Sequence, residues 1–376
     1  MRVLHVTTVG ITARAFLLPL FKRLQREGYD VTFACTDDQH ARHVEQQGVR
    51  YKPVFISRAI TPWDLVSILQ LYWLIKRDKY ALVHTHTSKG GIVGRMAAWL
   101  ASVPCVVHTM HGTVYHQYQP AIQRRLFRRI ERLAARVTTV FIAVTDKVKE
   151  DMVSARIADA EHICRIYNGL DTTAFSPEAV DPRERQRLRA AWACDADTVV
   201  IGAVARLVPD KGIEDLLRAF QIVRGQCANT VLVIAGEGGL RQALEQLAST
   251  LDIAAHVRWT GWCDNVPVLM SAFDVFCLPT LREGFGYVFL EAQAMGLPVA
   301  ATRIEPLTET MKDGETALLV PPGSPGELAA ALARFAASAE LRGEFGGNGL
   351  QRVRRLFTQE AQLNAVVALY RTLTRG

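Results

Sequence analysis

The chain has no apolar run long enough to span a bilayer, which takes about 20 residues. It also shows no basic stretch followed by an apolar run and a small-residue cleavage site, because Met1–Leu4 leads directly into a strand pattern. These two absences argue against a membrane-spanning or secreted protein. We therefore expect the protein to stay in the cytoplasm.

Cysteine is sparse, and its spacing matches neither a zinc finger nor a disulfide framework. The number of cysteines is odd, and most of them lie within apolar runs. We expect buried free thiols. The cysteines are Cys35, Cys105, Cys164, Cys194, Cys227, Cys263 and Cys277.

A glycine-rich dinucleotide loop is missing as well. The segment after the first strand pattern, Thr7–Arg14, contains a single glycine, whereas a nicotinamide-binding enzyme would carry Gly-x-Gly-x-x-Gly there. Zinc-finger, RNA-recognition and basic-zipper patterns are also absent, which argues against a nucleic-acid partner.

The sequence does contain enough material for two hydrophobic cores, since its 376 residues are 49% hydrophobic and 22% charged. Its charge is uneven. Residues 1–180 carry 24 Lys and Arg against 15 Asp and Glu, while the remainder carries 20 against 22. We expect the first half to meet an anionic partner, either a phosphate-bearing lipid or a membrane surface.

Short apolar segments alternate with helical stretches through the first half, which predicts a doubly wound parallel sheet. Ligands of such sheets bind beyond the carboxyl ends of the strands. The predicted strands are Arg2–Thr7, Asp30–Cys35, Tyr51–Phe55, Leu82–Thr85, Cys105–Thr109, Val137–Val144 and Cys164–Tyr167.

The segment with the strongest functional signal is residues 273–302, FDVFCLPTLREGFGYVFLEAQAMGLPVAAT. It predicts a strand, a glycine-containing turn, a helix that opens near Phe285, and a second strand. Glu283 lies in the turn, and Glu291 lies in the helix. A helix N-terminus with small residues stabilises an anion such as a diphosphate, whereas two carboxylates beside it are suited to accept hydrogen bonds from sugar hydroxyls.

Within this segment, E-G-F-G-Y-V-F-L-E-A-Q-A-M-G-L-P-V-A resembles the Glu-x7-Glu signature of retaining glycosyltransferases of family 4, which have the GT-B fold. The resemblance implies that Glu283 acts beside the donor sugar and that Glu291 binds the ribose of the nucleotide. It also implies that Gly284, Phe285 and Gly286 form the donor-binding turn. Taken alone, the two glutamates would be explained by a helix N-terminus and a solvated helix face.

A second element, R-L-V-P-D-K-G, follows the first predicted strand of the second half. Arg206 ends the strand and Lys211 precedes a helix, so both can converge on one anion. The element resembles the Arg-x4-Lys-Gly pattern that holds the donor diphosphate in family 4, which implies a catalytic and donor-binding role for both residues. Gly236 resembles part of the family's Gly-x-Gly donor segment. Isolated surface charges are the alternative.

Acceptor-side candidates follow three strands of the first half. Gly10 occupies a position where many family members have a glycine pair that lets the acceptor approach. His84 and Lys89 belong to H-T-H-T-S-K-G-G, in which Lys89 and the glycine amides could hold an acceptor phosphate. A zinc site from His84 and His86 is the alternative, although no third ligand is evident.

His111 matches a family histidine near the reacting sugar and is assigned a catalytic role, with a structural histidine as its alternative. Two weaker candidates are His108 and His116.

Two helical stretches of the first half are unusual. Residues 63–75, WDLVSILQLYWLI, are almost entirely apolar, and we expect them to pack on the sheet. Residues 124–136, RRLFRRIERLAAR, are basic and amphipathic. The resemblance would allow this second stretch to lie on an anionic bilayer, and a solvated surface helix is the equal alternative.

These patterns together predict an α/β protein with the GT-B fold, in which two Rossmann-like doubly wound domains face each other across a cleft. We expect residues 1–173 to form the acceptor-binding domain and residues 174–358 the nucleotide-sugar-binding domain. The C-terminal helix, 359–376, is expected to rejoin the first domain.

The resemblance implies a hexosyltransferase that moves a sugar, with retention of configuration, from a nucleotide-diphosphate sugar, a UDP-sugar by preference, to a hydroxyl group. The acceptor would be a glycan or a polyprenyl-diphosphate-linked oligosaccharide of surface polysaccharide biosynthesis. We expect neither a metal nor another cofactor, because the two cations and the helix N-terminus can neutralise the leaving diphosphate. An anionic membrane surface is a further expected partner, with a peripheral position on the inner face of the cell membrane.

Two other functions fit the same pattern: a sugar-nucleotide epimerase or hydrolase, and a non-catalytic nucleotide-binding protein. The sequence identifies neither the base and sugar of the donor nor the acceptor and its linkage.

Overall fold

The computed structural model describes residues 1–57, 61–112 and 121–374, and the weaker candidate His116 lies outside them. None of the helices in these ranges combines the length and the apolar character needed to cross a membrane. All seven cysteines are free thiols, three of them buried and four half-buried.

The chain forms two compact units. Unit 1 comprises residues 1–167 together with 360–376, and unit 2 comprises residues 168–359. Each unit is described by itself below.

Unit 1 is built on one parallel sheet of seven strands. In chain order the strands are β1 (Arg2–Val9), β2 (Asp30–Thr36), β3 (Arg50–Pro53), β4 (Leu82–His86), β5 (Cys105–Met110), β6 (Val140–Ala143) and β7 (Ile163–Arg165). Each predicted strand overlaps one of them. Their spatial order is β3-β2-β1-β4-β5-β6-β7, so the winding reverses between β1 and β4. Open α/β sheets bind ligands at such a reversal.

The helices of unit 1 cover both faces of this sheet. They are α1 (Gly10–Thr12), α2 (Leu18–Arg26), α3 (Gln39–Gln46), α4 (Asp64–Asp78), α5 (Ser88–Leu100), α6 (Ala121–Ala135) and α7 (Asp146–Ser154), with a π-helical segment, Ala13–Leu17, joining α1 to α2. Strand β1 therefore passes directly into a helix that begins at Gly10, and the acceptor-side role of Gly10 stays a prediction. The Gly10 N–H donates to Asp38 Oδ2 at 2.8 Å, and a Cβ at this position would lie 2.2 Å from the same carboxylate. This packing explains the glycine.

Helix α4 packs on the sheet, as predicted for residues 63–75, but through one side only. Leu71, Leu74 and Ile75 are buried in the core of unit 1. The opposite side of the helix is also apolar but faces solvent, with Leu69 and Trp73 54% and 68% exposed. An apolar sequence alone does not reveal which of its faces finds a partner.

Unit 2 contains a parallel sheet of six strands. They are β8 (Val199–Val204), β9 (Thr230–Ala235), β10 (Val257–Gly261), β11 (Val275–Leu278), β12 (Val299–Thr302) and β13 (Ala317–Val320). The helices are α8 (Pro182–Ala191), α9 (Ile213–Gln226), α10 (Arg241–Thr250), α11 (Val266–Ser271), α12 (Tyr287–Ala294), α13 (Leu307–Thr310), α14 (Pro325–Ala337) and α15 (Ala339–Leu356). The strand order β10-β9-β8-β11-β12-β13 reverses between β8 and β11.

The strands of unit 2 are apolar on both faces because helices cover both sides. All six residues of β9 are buried, as expected for a parallel sheet inside two helical layers. Gly202 in β8 has no side chain because a Cβ there would lie 2.1 Å from the Phe273 ring. The two sheets confirm the predicted pair of Rossmann-like doubly wound domains.

The last helix, α16 (Gln359–Thr374), belongs to unit 1 except for its first residue. Val366, Val367 and Tyr370 are buried in the same core as Phe21 of α2. A segment that follows all of unit 2 in the sequence thus completes the core of unit 1.

Candidate active site

The winding reversal in unit 2 places the loops that follow β8 and β11 side by side, because these two parallel strands are neighbours. Arg206 follows β8, and Lys211 ends a short 3₁₀ turn just before α9. Glu283 lies in the loop between β11 and α12. The predicted donor residues therefore gather at the edge where doubly wound sheets bind nucleotides.

Lys211 and Glu283 are in direct contact. The Lys211 ammonium donates a hydrogen bond to Glu283 Oε1 and forms an ion pair with it. Each side chain is only 14% exposed, so water screens this pair weakly. The contact joins the loop after β8 to the loop after β11.

Backbone contacts fix the same two loops. The Leu281 N–H donates to the Asp210 carbonyl at 2.8 Å, and the Thr280 hydroxyl donates to the same oxygen at 2.9 Å. Gly212 precedes α9 with φ at +65°, and a Cβ there would lie 2.0 Å from the Pro279 carbonyl oxygen. The ion pair thus lies on a rigid frame.

Arg206 has a different environment. Its side chain is exposed and forms no hydrogen bond or ion pair with another described residue. Gly236, at the end of β9, has φ at +131°, and a Cβ there would lie 1.8 Å from the Ala205 carbonyl oxygen. Gly236 lets the turn after β9 approach the backbone beside Arg206, and its own N–H donates to the Gly261 carbonyl at 2.7 Å. An unpaired guanidinium at this edge is ready to bind an anion.

Helix α12 carries the second glutamate. Gly286 adopts a left-handed conformation, φ 84°, immediately before the helix, while Phe285 is buried and Gly284 is exposed. Burial raises the pKa of Glu291 to about 7. It also raises the pKa of Tyr287, with a smaller contribution from the Glu291 charge. A group with such a perturbed pKa at a sheet edge is characteristic of a functional site.

The winding reversal in unit 1 is occupied by histidines. Strands β1 and β4 pair in register, so that His5 lies beside His84. His86 lies two residues further along β4 and therefore on the same face as His84. One ring nitrogen from each of the three histidines lies within 4.8 Å of the other two. The third imidazole that the zinc alternative lacked is present, in His5.

Hydrogen bonds connect these rings with each other and with α16. His5 Nδ1 lies 3.1 Å from His86 Nε2. His84 Nδ1 lies 2.7 Å from the Tyr370 hydroxyl, and its Nε2 lies 2.7 Å from Thr109 Oγ1. His84 is 1% exposed, and its assignment to the acceptor side stays a prediction. Its ring joins the sheet to α16.

Lys89, the other acceptor-side prediction after β4, is also engaged inside unit 1. Its ammonium pairs with Asp64, and its side chain is 10% exposed. The N–H groups of the two following glycines donate to Thr8 Oγ1 at 3.0 Å and to the Thr87 carbonyl at 2.9 Å. The groups of the predicted phosphate cradle therefore have partners within the unit, and the assignment of Lys89 to an acceptor phosphate stays a prediction.

His111 follows β5 at the same edge of the sheet. Burial lowers its pKa to about 4, so the ring is neutral near pH 7. Its Nε2 and the Nδ1 of His86 have no hydrogen-bond partner among the described residues, and the two ring centroids lie 5.8 Å apart. A neutral imidazole in this state can still donate or accept one hydrogen bond.

The buried histidines predict that unit 1 is sensitive to acid. Burial lowers the pKa of His5 to about 3, against an ordinary value of 6.5. Below pH 6.5 the unfolded chain therefore binds a proton that the folded chain does not bind until the pH approaches 3. The free energy of unfolding accordingly decreases as the pH is lowered from 6.5 towards 3. For His5 alone we expect a loss of about 2 kcal/mol between pH 7.5 and pH 5. Urea unfolding followed by circular dichroism at the two pH values measures it.

His162 provides the control, because its side chain is exposed. The difference between the two pH values should be smaller in His5→Asn than in the wild type and unchanged in His162→Asn. Equal unfolding midpoints of the wild type at pH 5 and pH 7.5 would contradict the prediction.

Sequence reasoning missed His5 and Tyr370 as members of this network. The register of β1 against β4 places His5 beside His84, although 78 residues separate them in the sequence. Only a prediction of the strand order together with its register could have identified this contact.

Two family descriptions match consecutive parts of the chain. "Glycosyltransferase Family 4" matches residues 15–174, and "Glycosyl transferases group 1" matches residues 184–352. The two matches fall largely in unit 1 and unit 2, respectively.

Characterised relatives share this similarity. The chain is 32% identical over 289 residues to UDP-Gal:alpha-D-GlcNAc-diphosphoundecaprenol alpha-1,3-galactosyltransferase of Escherichia coli, covering 76% of this chain and 74% of the relative. It is 24% identical to the capsular polysaccharide biosynthesis glycosyltransferase CapM of Staphylococcus aureus, covering 100% and 98%. Among solved structures, Anabaena Alr3699/HepE in complex with UDP and glucose superposes with a TM-score of 0.82 at 20% identity, covering 98% of this chain and 99% of the other. That likeness concerns the fold.

Proposed function

Because the chain belongs to the group 1 and family 4 glycosyltransferases, we propose that it transfers a sugar, with retention of configuration, from a UDP-sugar to a hydroxyl group of a lipid-linked glycan. The observation that carries this proposal is the arrangement at the β8–β11 reversal. There the Lys211–Glu283 ion pair and the unpaired Arg206 guanidinium lie at the sheet edge where a nucleotide-sugar donor is expected to bind.

The two cations act on the leaving group. Negative charge develops on the diphosphate as the glycosyl bond breaks, and a preorganised guanidinium and ammonium stabilise that charge most in the transition state. Arg206 can form two parallel hydrogen bonds to phosphate oxygens. We propose that these residues and the N-terminus of α12 do this without a divalent metal.

The two glutamates act on hydroxyl groups. Glu283 is held by Lys211, which suits it to accept a hydrogen bond from the donor sugar rather than to form a covalent bond with it. Retention would then arise by attack of the acceptor on the face from which the diphosphate leaves. Glu291 accepts hydrogen bonds from the ribose.

The relatives support the choice of substrates. The Escherichia coli relative is named for a UDP-galactose donor and a GlcNAc-diphosphoundecaprenol acceptor, and the Anabaena structure contains UDP and glucose. We propose the same chemical classes here: a uridine diphosphate sugar and a sugar hydroxyl on a polyprenyl diphosphate. A cytoplasmic site of action follows from the location of such donors.

The proposal is tested by incubating the purified protein with radiolabelled UDP-, GDP- and ADP-hexoses, with and without a lipid-diphosphate-linked GlcNAc acceptor. We expect transfer from one UDP-sugar only, an unchanged rate in EDTA, and a product with the anomeric configuration of the donor. Sugar release without an acceptor would indicate a hydrolase, and interconversion of donor sugars an epimerase. Nucleotide binding without turnover under all conditions would indicate a binding protein.

The raised pKa of Glu291 predicts that nucleotide binding depends on pH. If only the carboxylate accepts the ribose hydrogen bonds, the affinity for UDP should increase about tenfold between pH 6 and pH 8, since Glu291 ionises near pH 7. Calorimetric titration with UDP at intervals of half a pH unit measures this dependence.

Glu291→Gln is the matched variant, because it keeps the shape of the side chain and does not ionise. Its affinity should be lower than that of the wild type at pH 8. Any pH dependence that it retains reports the terminal phosphate, which titrates near pH 6. Identical pH profiles for the two proteins would contradict a role for the Glu291 carboxylate.

A further inference from the structure

The outward side of α4 is an exposed apolar surface. Trp63, immediately before the helix, is 63% exposed, and Leu65 and Trp73 are both 68% exposed. Val66 and Leu69 lie between them at 38% and 54%. We call these five residues the α4 face. Single exposed apolar residues are common on protein surfaces, whereas several adjacent ones on one helix indicate an interaction site.

The composition of α4 sets it apart from a solvated surface helix. Its sequence carries no charged residue between Asp64 and Lys76, and Gln70 is the only exposed polar side chain in this interval. The one acidic residue at its start, Asp64, is paired with Lys89. The helix is therefore apolar on its inner side, which packs in the core, and apolar on its outer side, which the described residues leave exposed.

Positive charge lies beside the last turn of α4. Lys76 and Lys52 line an open groove of about 800 Å³ together with Trp73, and neither lysine forms an ion pair within the part of the chain that is described. Arg77 lines the same groove, but it is paired with Asp78. The groove thus offers an indole and two ammonium groups to one ligand, although the Lys52 charge also acts on the Asp78 carboxylate.

We propose that the α4 face docks on an anionic lipid bilayer, with Trp63, Leu69 and Trp73 entering the interfacial region and Lys52 and Lys76 contacting lipid phosphates. Tryptophan favours the boundary between the acyl chains and the head groups, because its ring is apolar and its N–H can still reach water. Lysines beside an apolar helix face add attraction to anionic head groups. The proposal extends the proposed function, because an acceptor on a polyprenyl anchor is confined to such a bilayer.

The two lysines that line the groove favour a bilayer over a protein as the partner of the α4 face. A protein-binding surface places its cations against specific carboxylates, whereas Lys52 and Lys76 flank a groove open to solvent and a helix end. Helix α6 is the competing membrane surface. It exposes Ile122, Leu126 and Leu133 along one side of an amphipathic, arginine-rich helix, so the test below includes a variant of α6.

Vesicle sedimentation without nucleotide tests the proposal. The wild-type protein should bind vesicles that contain phosphatidylglycerol and phosphatidylcholine, and should bind pure phosphatidylcholine at least fivefold more weakly. Leu69→Ala combined with Trp73→Ala should weaken binding to the mixed vesicles at least tenfold, because it removes two inserted side chains. Lys52→Glu combined with Lys76→Glu should weaken binding to mixed vesicles and not to pure phosphatidylcholine.

Trp262→Ala is the matched control, since Trp262 is 72% exposed but lies in unit 2. It should bind the mixed vesicles like the wild type. The altered side chains are exposed except that of Lys52, which is half-buried, and circular dichroism verifies that the variants fold. UDP affinity should be unchanged in the α4 variants, so a failure of the proposed donor site would be seen separately.

Three results would overturn the proposal. The first is no vesicle binding by the wild type. The second is loss of binding on Leu126→Ser in α6 with no effect of the α4 variants. The third is a dimer in light scattering that dissociates on Trp73→Ala, which would show that a second copy covers the α4 face.

Discussion

Replacing Arg206 by alanine should lower kcat/KM for sugar transfer by about 10²- to 10³-fold, equivalent to roughly 3–4 kcal/mol of transition-state stabilisation. Arg206 is an exposed guanidinium at the β8–β11 reversal with no ion pair to another described residue, so its removal leaves the folded structure unchanged. The loss should therefore appear in binding and turnover and not in the unfolding temperature. Steady-state kinetics with the UDP-sugar, together with calorimetric titration of UDP, measures both quantities.

Two variants make this result specific. Arg206→Lys keeps the charge but loses the paired hydrogen bonds, so its rate should lie between those of the wild type and the alanine variant. Arg218→Ala removes an exposed arginine from the adjacent helix α9 and should behave like the wild type. Wild-type kinetics in Arg206→Ala would refute the donor site as assigned. Binding of NAD in place of a nucleoside diphosphate would return the oxidoreductase alternative to consideration.

Replacing Glu131 by alanine should destabilise unit 1 by about 3–5 kcal/mol. Glu131 pairs with Arg95 at 2.7 Å, and the two side chains are 1% and 0% exposed. Arg95 is further fixed by a hydrogen bond from its Nε to the Gly91 carbonyl at 2.9 Å. Removing the carboxylate leaves a guanidinium buried without its counter-charge, and the link between α5 and α6 is lost.

Hydrogen exchange followed by mass spectrometry can show whether the loss of stability is located in α5 and α6. Protection should fall in peptides from α5 and α6, while UDP affinity, which we have proposed to reside in unit 2, should stay unchanged. The double variant Arg95→Met with Glu131→Leu removes both charges and should recover most of the stability. Glu150→Ala, which removes an exposed carboxylate from α7, is the control. An unchanged unfolding curve for Glu131→Ala would contradict the prediction.

The structure brings predicted donor-side residues together but gives the predicted acceptor-side residues partners that the sequence did not indicate, and the reason is physical. Arg206, Lys211, Glu283 and Glu291 lie within short segments whose strand, loop and helix follow one another directly. Local patterns of this kind determine where a side chain lies relative to a sheet edge. The contact between Lys211 and Glu283 then followed from the adjacency of β8 and β11.

The acceptor-side residues depended on contacts that no local pattern contains. The sequence does not indicate that Lys89 pairs with Asp64. It also does not indicate that the Asp38 carboxylate packs against Gly10. His84 was assigned to the acceptor side, and its ring is hydrogen-bonded to Tyr370 of the last helix. In each case the partner comes from a distant part of the sequence.

The apolar helix α4 shows another limit of sequence reasoning. Its composition predicts that it avoids water, and both a protein core and the interface of a bilayer satisfy that requirement. The structure separates the two faces: Leu71 and Leu74 lie in the core, and Leu69 and Trp73 do not. Only the packed fold reveals the difference.

The position of α16 in unit 1 also has a consequence for biosynthesis. Residues 168–359 must all be translated before the ribosome supplies the helix that covers His84 and completes the core around Val366 and Val367. Unit 2 is continuous in the sequence and can close as soon as it emerges. We therefore expect unit 2 to fold first on the ribosome. The N-terminal sheet is synthesised earlier, but unit 1 can complete its core only after α16 has emerged.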